Sequence, residues 1–197
     1  LVNSLKIGLA ATVIATVLGT MVAFALARHR FLGRTATNLT IFLPMATPEV
    51  VLGASLLALF LNLGVALGTT TIVIAHVMFC ISFVIVTVKA RLAGLDPRLE
   101  QAAMDLYANE VQTFRRITLP LVAPGIMAGA LLAFSLSFDD FIITNFNSGD
   151  VNTFPKFVWV SSLRGIPAQA NVIASAMFFI ALAAVVVAQL VAGRRKG

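Results

Sequence analysis

Long apolar runs alternate with short polar or basic segments along this chain. The runs lack the residue-by-residue polar and apolar alternation of a barrel strand, and several are too long to be strands. Five of them reach the roughly 17–25 residues that a helix needs to cross a bilayer. They are Ile7–Ala27, Leu39–Phe60, Thr70–Val88, Val122–Phe141 and Asn171–Ala192. The pattern predicts an all-α fold, a polytopic transmembrane helical bundle forming a single domain over residues 1–197.

One polar segment, residues 96–120, is longer than a connection between spans requires and carries its own helical pattern. Leu99, Ala102, Ala103, Leu106 and Tyr107 recur at helical spacing and share a face, while Glu100, Gln101 and Asp105 fall elsewhere around the helix. Asp96-Pro97 supplies a start, because Asp caps and Pro suits the first turn. A second short helix is expected around Glu110–Ile117, with Arg115 and Arg116 at the end that the helix dipole favours for cations. Pro120 and Pro124 punctuate entry to the next span. Two short helices along the membrane face make a handle for a soluble partner; the competing reading is an interfacial amphipathic anchor.

Composition agrees with a membrane class. Hydrophobic residues make up 59% of the chain and charged residues 11%, against about a quarter charged in soluble domains. The net charge of +6 raises the question of nucleic acid, but its distribution answers it. Eleven basic residues, from Arg28, Arg30 and Arg34 through Lys89, Arg91, Arg98, Arg115 and Arg116 to the C-terminal Arg194, Arg195 and Lys196, fall on one side of the expected spans. Lys6, Lys156 and Arg164 fall on the other. Such asymmetry places the 96–120 insert and the C-terminus in the cytoplasm and the N-terminus outside. The first span is too long and wrongly flanked for a signal peptide, and an additional span is expected upstream of Leu1. The single Cys80 lies in a span and excludes a disulfide framework.

Inside the spans, a few residues carry candidate chemistry. Gly8, Ala11, Ala15, Gly19 and Ala23 form a small-residue stripe that admits a close helix neighbour, unless it only reflects an Ala-rich helix. Glu49 follows Pro44 and Pro48 near the middle of the second span. A charge there costs about 2.5–3.5 kcal/mol on insertion scales, which argues for a pore-facing or paired carboxylate; the other reading is a proton-bearing or helix-terminus carboxyl, stabilised by free amides after the proline break. His76, Cys80, Ser82 and Thr87 either line a polar path or bond to neighbouring helices.

Asp139 and Asp140 stand 17 residues or more beyond Val122, about 26 Å along the span, near its outer end. Adjacent helical positions diverge by about 100°, so one aspartate can meet substrate while the other caps or pairs; alternatively both are simply solvated. With Phe138 and Phe141 nearby, these carboxylates suit an organic polycation, since aromatic faces add about 0.5–2 kcal/mol of cation–π attraction. An anion path would want Arg, Lys or helix N-termini, and the expected spans contain no internal Arg or Lys. The segment Ile142–Ala170 either dips beside the path or forms an outer platform, with Trp159 at the interface. No phosphate-binding Gly-x-x-x-x-Gly-Lys-Ser/Thr loop occurs, so ATP hydrolysis is not expected of this chain.

The insert resembles the coupling loop of ABC-importer permeases: Glu-Ala-Ala, three residues, Gly, nine residues, Ile, one residue, Leu-Pro. Here it reads Gln101-Ala102-Ala103, then Tyr107, then Ile117-Thr118-Leu119-Pro120, with the family spacing throughout. Gln101 replaces the usual Glu, with Glu100 adjacent, and Tyr107 replaces a Gly that would carry no Cβ penalty in a turn. The stretches Pro48-Glu49-Val50-Val51, His76–Val88 and Phe134–Phe141 are similar to permeases for spermidine and putrescine.

That resemblance implies a type I ABC-importer permease of six spans, five of them here, in a bacterial cytoplasmic membrane. It implies a transport subunit without enzymatic activity. The implied partners are a second permease, two ATPase subunits that bind ATP and Mg, an extracytoplasmic binding protein and membrane lipid, with no nucleic acid. No cofactor or metal is implied for this chain. It further implies an ATPase-coupling set of Glu100, Gln101, Ala102, Ala103, Asp105, Tyr107, Ala108 and Arg115, and a path set of Glu49, Asp139, Asp140, Phe138 and Phe141. Rival expectations are the same machine for an amino acid, an opine-like compound or iron, and an ATP-independent channel or scaffold.

Overall fold

A computed structural model describes residues 1–29 and 31–163, together with 165, 168, 171–179 and 182–183. The described residues are helical, without strands. The helices are α1 (Val2–Arg28), α2 (Arg34–Ala46), α3 (Glu49–Asn62), α4 (Thr69–Ala93), α5 (Arg98–Asp105), α6 (Glu110–Thr113), α7 (Leu119–Asp139), α8 (Ile142–Asn147) and α9 (Phe154–Ser162), with a π-helical turn over Phe114–Thr118. Residues 171–179, within the expected fifth span, are also helical; 180, 181 and 184–192 lie outside the described residues, as do Arg30, Arg164 and the C-terminal basic cluster. The chain divides into two compact units, Leu1–Pro155 and Lys156–Gly197. All candidate site residues belong to the first.

Within that unit α1, α4 and α7 pack against one another. The small-residue stripe of α1 is the reason they can. Gly8, Ala11, Ala15, Gly19 and Ala23 are all buried, and a Cβ on Gly19 would come within 2.8 Å of Val84 Cγ1 on α4. In lipid there is little hydrophobic drive between helices, so close van der Waals approach must supply the association. Ala75, Val84, Val88, Val122 and Ala133 continue this core from α4 and α7. Leu9, Val13, Val17 and Met21 on the other side of α1 remain exposed. An apolar outer surface of this kind is what a lipid-facing helix presents.

Three helices among the described residues are long and apolar enough to cross a membrane: Val2–Arg28, Thr69–Ala93 and the run Glu110–Asp139. The expected second span, Leu39–Phe60, is instead two helices, α2 and α3, bent by 104°. The cause is local. Thr47 is extended at φ −79°, ψ 130°, as a residue before proline prefers, and Pro48 follows at φ −57°, ψ 134°. Two successive non-helical residues end α2, whereas Pro44 stays inside it. Glu49 is therefore not mid-helix but the first residue of α3.

The expected second amphipathic helix of the insert also differs. Only Glu110–Thr113 is a separate α-helical turn, opened by the reciprocal pair Asn109–Gln112 (Gln112 N–H to Asn109 Oδ1 2.8 Å, Asn109 N–H to Gln112 Oε1 3.1 Å). It then runs without a break through the π-helical turn into α7, so Pro120 does not interrupt the helix. At the first residues of α7 a missing proline N–H removes little, and the wider turn before it is closed by Leu119 N–H to Phe114 O.

Between α5 and α6, Tyr107 adopts φ 64°, the only positive φ at a non-glycine position among the described residues. This left-handed conformation costs a residue bearing a Cβ about 1–2 kcal/mol. Tyr107 is 98% exposed, so its ring recovers nothing by packing within this chain.

Two predictions follow from this packing and this turn. Gly19→Val, which forces α1 from α4, should destabilise the subunit by about 1–3 kcal/mol in detergent thermal unfolding; unchanged stability would show that α1 does not approach α4 as described. Tyr107→Gly should raise stability by about 1 kcal/mol, as the strain it relieves exceeds the added chain entropy. A drop in midpoint temperature would contradict the left-handed turn.

Candidate functional site

The candidate residues gather at the two ends of the bundle. At one end α7 stops where Asp140 turns extended (φ −65°, ψ 122°) before α8. The pair of aspartates splits there. Asp140 is buried, and its carboxylate accepts from the backbone N–H of Ile143 (3.2 Å) and Thr144 (2.7 Å), which fastens the start of α8. His76 of α4 lies beside it, with Nε2 3.2 Å from Asp140 Oδ2 and 3.0 Å from Thr144 Oγ1, and Nδ1 2.7 Å from Ser137 Oγ. A buried carboxylate must be paired or hydrogen-bonded to be tolerated, and Asp140 is hydrogen-bonded by two backbone amides and lies within hydrogen-bond distance of His76.

The same α8 reaches α3. The Asn147 side-chain amide donates to the carbonyl of Gly53 (3.2 Å) and to that of Ile143 (2.9 Å), and the Asn147 backbone carbonyl accepts from the Thr71 hydroxyl (2.7 Å). Gly53 is needed for this approach, because a Cβ there would stand 2.9 Å from the Phe146 ring. His76 thus holds the α7–α8 break, and α8 in turn holds α3, whose first residue is Glu49.

Asp139 and Glu49 are both exposed and face one open cavity of about 360 Å³, lined also by Ser135, Leu136, Asp140, Phe141 and Ile142. Among the described residues no basic side chain lines it. Among the described residues neither Glu49 nor Asp139 has an ion-pair partner. Phe141 belongs to this wall, but Phe138 does not: its ring stacks on Phe134 at 5.8 Å, and its Cβ faces the Gly8 side of α1. Four of the five expected path residues are therefore brought together.

Ser137, Thr144 and Asn147 were not among the expected site residues. Their signal is a polar spacing of three or four residues, Ser137, Asp140, Thr144, Asn147, carried through the helix break. Of the third-span polar residues, His76 joins this cluster, Cys80 Sγ donates to the Ala133 carbonyl (3.4 Å) and Thr87 Oγ1 to the Phe83 carbonyl (2.8 Å).

At the opposite end, α5 begins where Asp96 Oδ1 accepts from Arg98 N–H (2.9 Å). Gln101, Ala102 and Asp105 are exposed, and Ala103 and Ala108 half-buried. Arg115 is exposed as well. The apolar face does not turn into the bundle: Leu99 and Met104 are exposed, and Leu106 and Tyr107 are 81% and 98% exposed. Glu100 is half-buried and turns the other way, paired with Arg28. A cluster of exposed apolar side chains on a short loop marks an interaction surface rather than a core.

Comparison with known proteins gives the family. The family described as "binding-protein-dependent transport system inner membrane component" matches residues 15–195. The spermidine/putrescine transport system permease protein PotC of Haemophilus influenzae is 39% identical over 191 residues, covering 96% of this chain and 74% of that protein. PotC of Escherichia coli is 36% identical over 96% of this chain and 72% of its own length. The putrescine transport system permease protein PotI of Escherichia coli is 41% identical over 180 residues, 87% of this chain and 64% of that protein. An apolar helical bundle with a built loop at one end and an acidic cavity at the other, matched over nearly its whole length, belongs to the binding-protein-dependent transport system inner membrane component family.

Proposed function

We propose that this chain is the permease subunit of an ATP-driven importer that carries spermidine, putrescine or a similar organic polycation across the cytoplasmic membrane. The observation that carries the substrate class is the cavity in which Glu49 and Asp139, from separate helices, stand with no basic residue in the lining among the described residues. Two carboxylates on different helices can take two ammonium groups of one extended cation. Hydrogen bonds to charged groups contribute about 1.5–3 kcal/mol each, and the Phe141 ring adds a face for a methylene or an ammonium. The names of the similar permeases support the same class.

In this reading the Arg-rich end, with the 96–120 coupling loop, lies in the cytoplasm and the Asp139 end outside, as the basic asymmetry favours. The complete importer would comprise a second permease, two ATPase subunits and an extracytoplasmic binding protein. ATP and Mg would be held by the ATPases, so this chain needs no cofactor and performs no hydrolysis. Leu106, Tyr107 and Val111, exposed at the loop, would be covered by an ATPase. Asp140 acts through position: committed to His76 and the start of α8, it presents its neighbour Asp139 to the cavity.

The test is uptake of labelled spermidine by vesicles that hold the complete complex. Glu49→Gln and Asp139→Asn should each raise KM by about tenfold or more, the loss of one charged hydrogen bond, with assembly intact. Asp140→Asn should lower the amount of assembled subunit instead, because it weakens a buried polar cluster. Unaltered KM in both Glu49→Gln and Asp139→Asn would remove the polycation reading. Competition by an amino acid, an opine-like compound or iron, with none by putrescine, would reassign the substrate.

A further inference from the structure

An ion pair fastens the inner side of the 96–120 loop to the end of α1. Arg28, the last residue of α1, pairs through Nη2 with Glu100 Oε1 on α5. The Thr118 hydroxyl, in the π-helical turn that leads into α7, donates to the same Glu100 oxygen and also lies 3.5 Å from Arg28 Nη2. Arg28 is held from behind by Phe24, whose ring is 5.7 Å from the guanidinium carbon, and Phe24 meets Phe114 of the π-helical turn edge-on at 5.4 Å. One carboxylate therefore joins the end of α1, the coupling loop and the start of α7.

Little else ties α5 to α1. Helix α5 packs chiefly on α6 and the π-helical turn. A cavity of about 170 Å³ opens beside the pair, lined by Arg28, Leu95, Leu99, Glu100 and Ile117 among others, so close packing does not fix α5 there. An ion pair this exposed adds little to stability. Its effect is geometric: one guanidinium nitrogen, Nη2, meets both the Glu100 carboxylate and the Thr118 hydroxyl, so the three elements share one point of contact. The neighbouring connection is separate, since Arg91 Nε of α4 donates to the Leu121 carbonyl of α7 (2.9 Å) without touching the loop.

We propose that Arg28 and Glu100 form the joint through which displacement of the 96–120 loop is passed to α1, with Thr118 passing it to α7. Both are positioning residues; neither meets the transported cation. The inference rests on the reading of the loop as the part held by an ATPase. It divides the insert into two working sides. Tyr107 and Leu106 face the partner, and Glu100 faces the bundle.

The experiment uses the complete complex in vesicles and reads labelled spermidine uptake and ATP hydrolysis in the same sample. Arg28→Gln should lower cation imported per ATP hydrolysed at least fivefold while the ATPase still copurifies. The reversed pair, Arg28→Glu with Glu100→Arg, should restore more than half of the lost ratio, which ties the effect to the pair rather than to either residue alone. An unchanged ratio in Arg28→Gln, or a reversed pair no better than the single variant, overturns the joint. Should Arg28→Gln fail to assemble, Thr118→Val removes the hydroxyl at nearly constant volume and must lower the ratio as well; an unaltered ratio there overturns the proposal. Loss of the ATPase on Arg28→Gln alone would make this end a docking contact, which overturns the joint and leaves the importer reading in place. Failure of the unsubstituted complex to retain any ATPase overturns both.

Discussion

The close approach of α1 to α4 and α7 is the constraint on which both ends of the bundle depend. It is achieved by the absence of side chain, at Gly8 and Gly19 and along the alanines between them. Among lipids, where apolar surface gains little by leaving its surroundings, helices associate by shape. Because α4 and α7 are seated against α1, His76 on α4 comes opposite the end of α7, and Arg28 on α1 comes opposite the start of α7. Neither polar cluster requires its own folding unit; each is placed by the same apolar seam.

Given that seam, the acidic end is built from two helix breaks of different origin. The break before α3 is intrinsic to the backbone: a residue forced extended by the following proline, and the proline itself. The break after α7 has no proline, and it is held open by side chains, with Asp140 satisfying the first amides of α8 and His76 satisfying Asp140. The two breaks become one site because α8 is hydrogen-bonded to α3 through Asn147. This division of labour explains why adjacent aspartates behave differently. One is consumed in making the turn, and the turn leaves the other exposed.

How much of this the residues disclose depends on range. Apolar runs reveal the helices of the bundle because every residue in a span reports the same solvent. The small-residue stripe on α1 is legible for the same reason, through its period. The prolines mark a break before Glu49 but not its 104° size: hydropathy is continuous through Thr47-Pro48, and whether proline kinks or ends a helix depends on the conformation of its neighbour. The π-helical turn is likewise invisible, since Pro120 reads as a helix start although the helix already runs through it. Glu49, Asp139 and Asp140 could be picked out as charges where charges are costly, yet which aspartate faces the cavity is decided by His76, 64 residues from Asp140 in sequence. Arg28 and Glu100, 72 residues apart, leave no local trace at all.

The continuous helix from Glu110 to Asp139 gives the two ends a physical connection. At 1.5 Å per residue its 30 residues extend about 45 Å, from the loop to the carboxylate that faces the cavity. A regular α-helix of that length transmits rotation and translation with little loss, and the π-helical turn is where it is least regular. Helical insertions of this kind recur at functional positions because their hydrogen bonds can shift register at small cost. Its position here, beside Thr118 and Glu100 and ahead of Pro120, puts the irregular turn at the loop end, with Pro124 as the one interior proline between it and Asp139. A soft point nearer Asp139 would absorb motion before it reached the cavity. The irregular turn therefore lies at the loop end of α7, and the cavity carboxylate at the other.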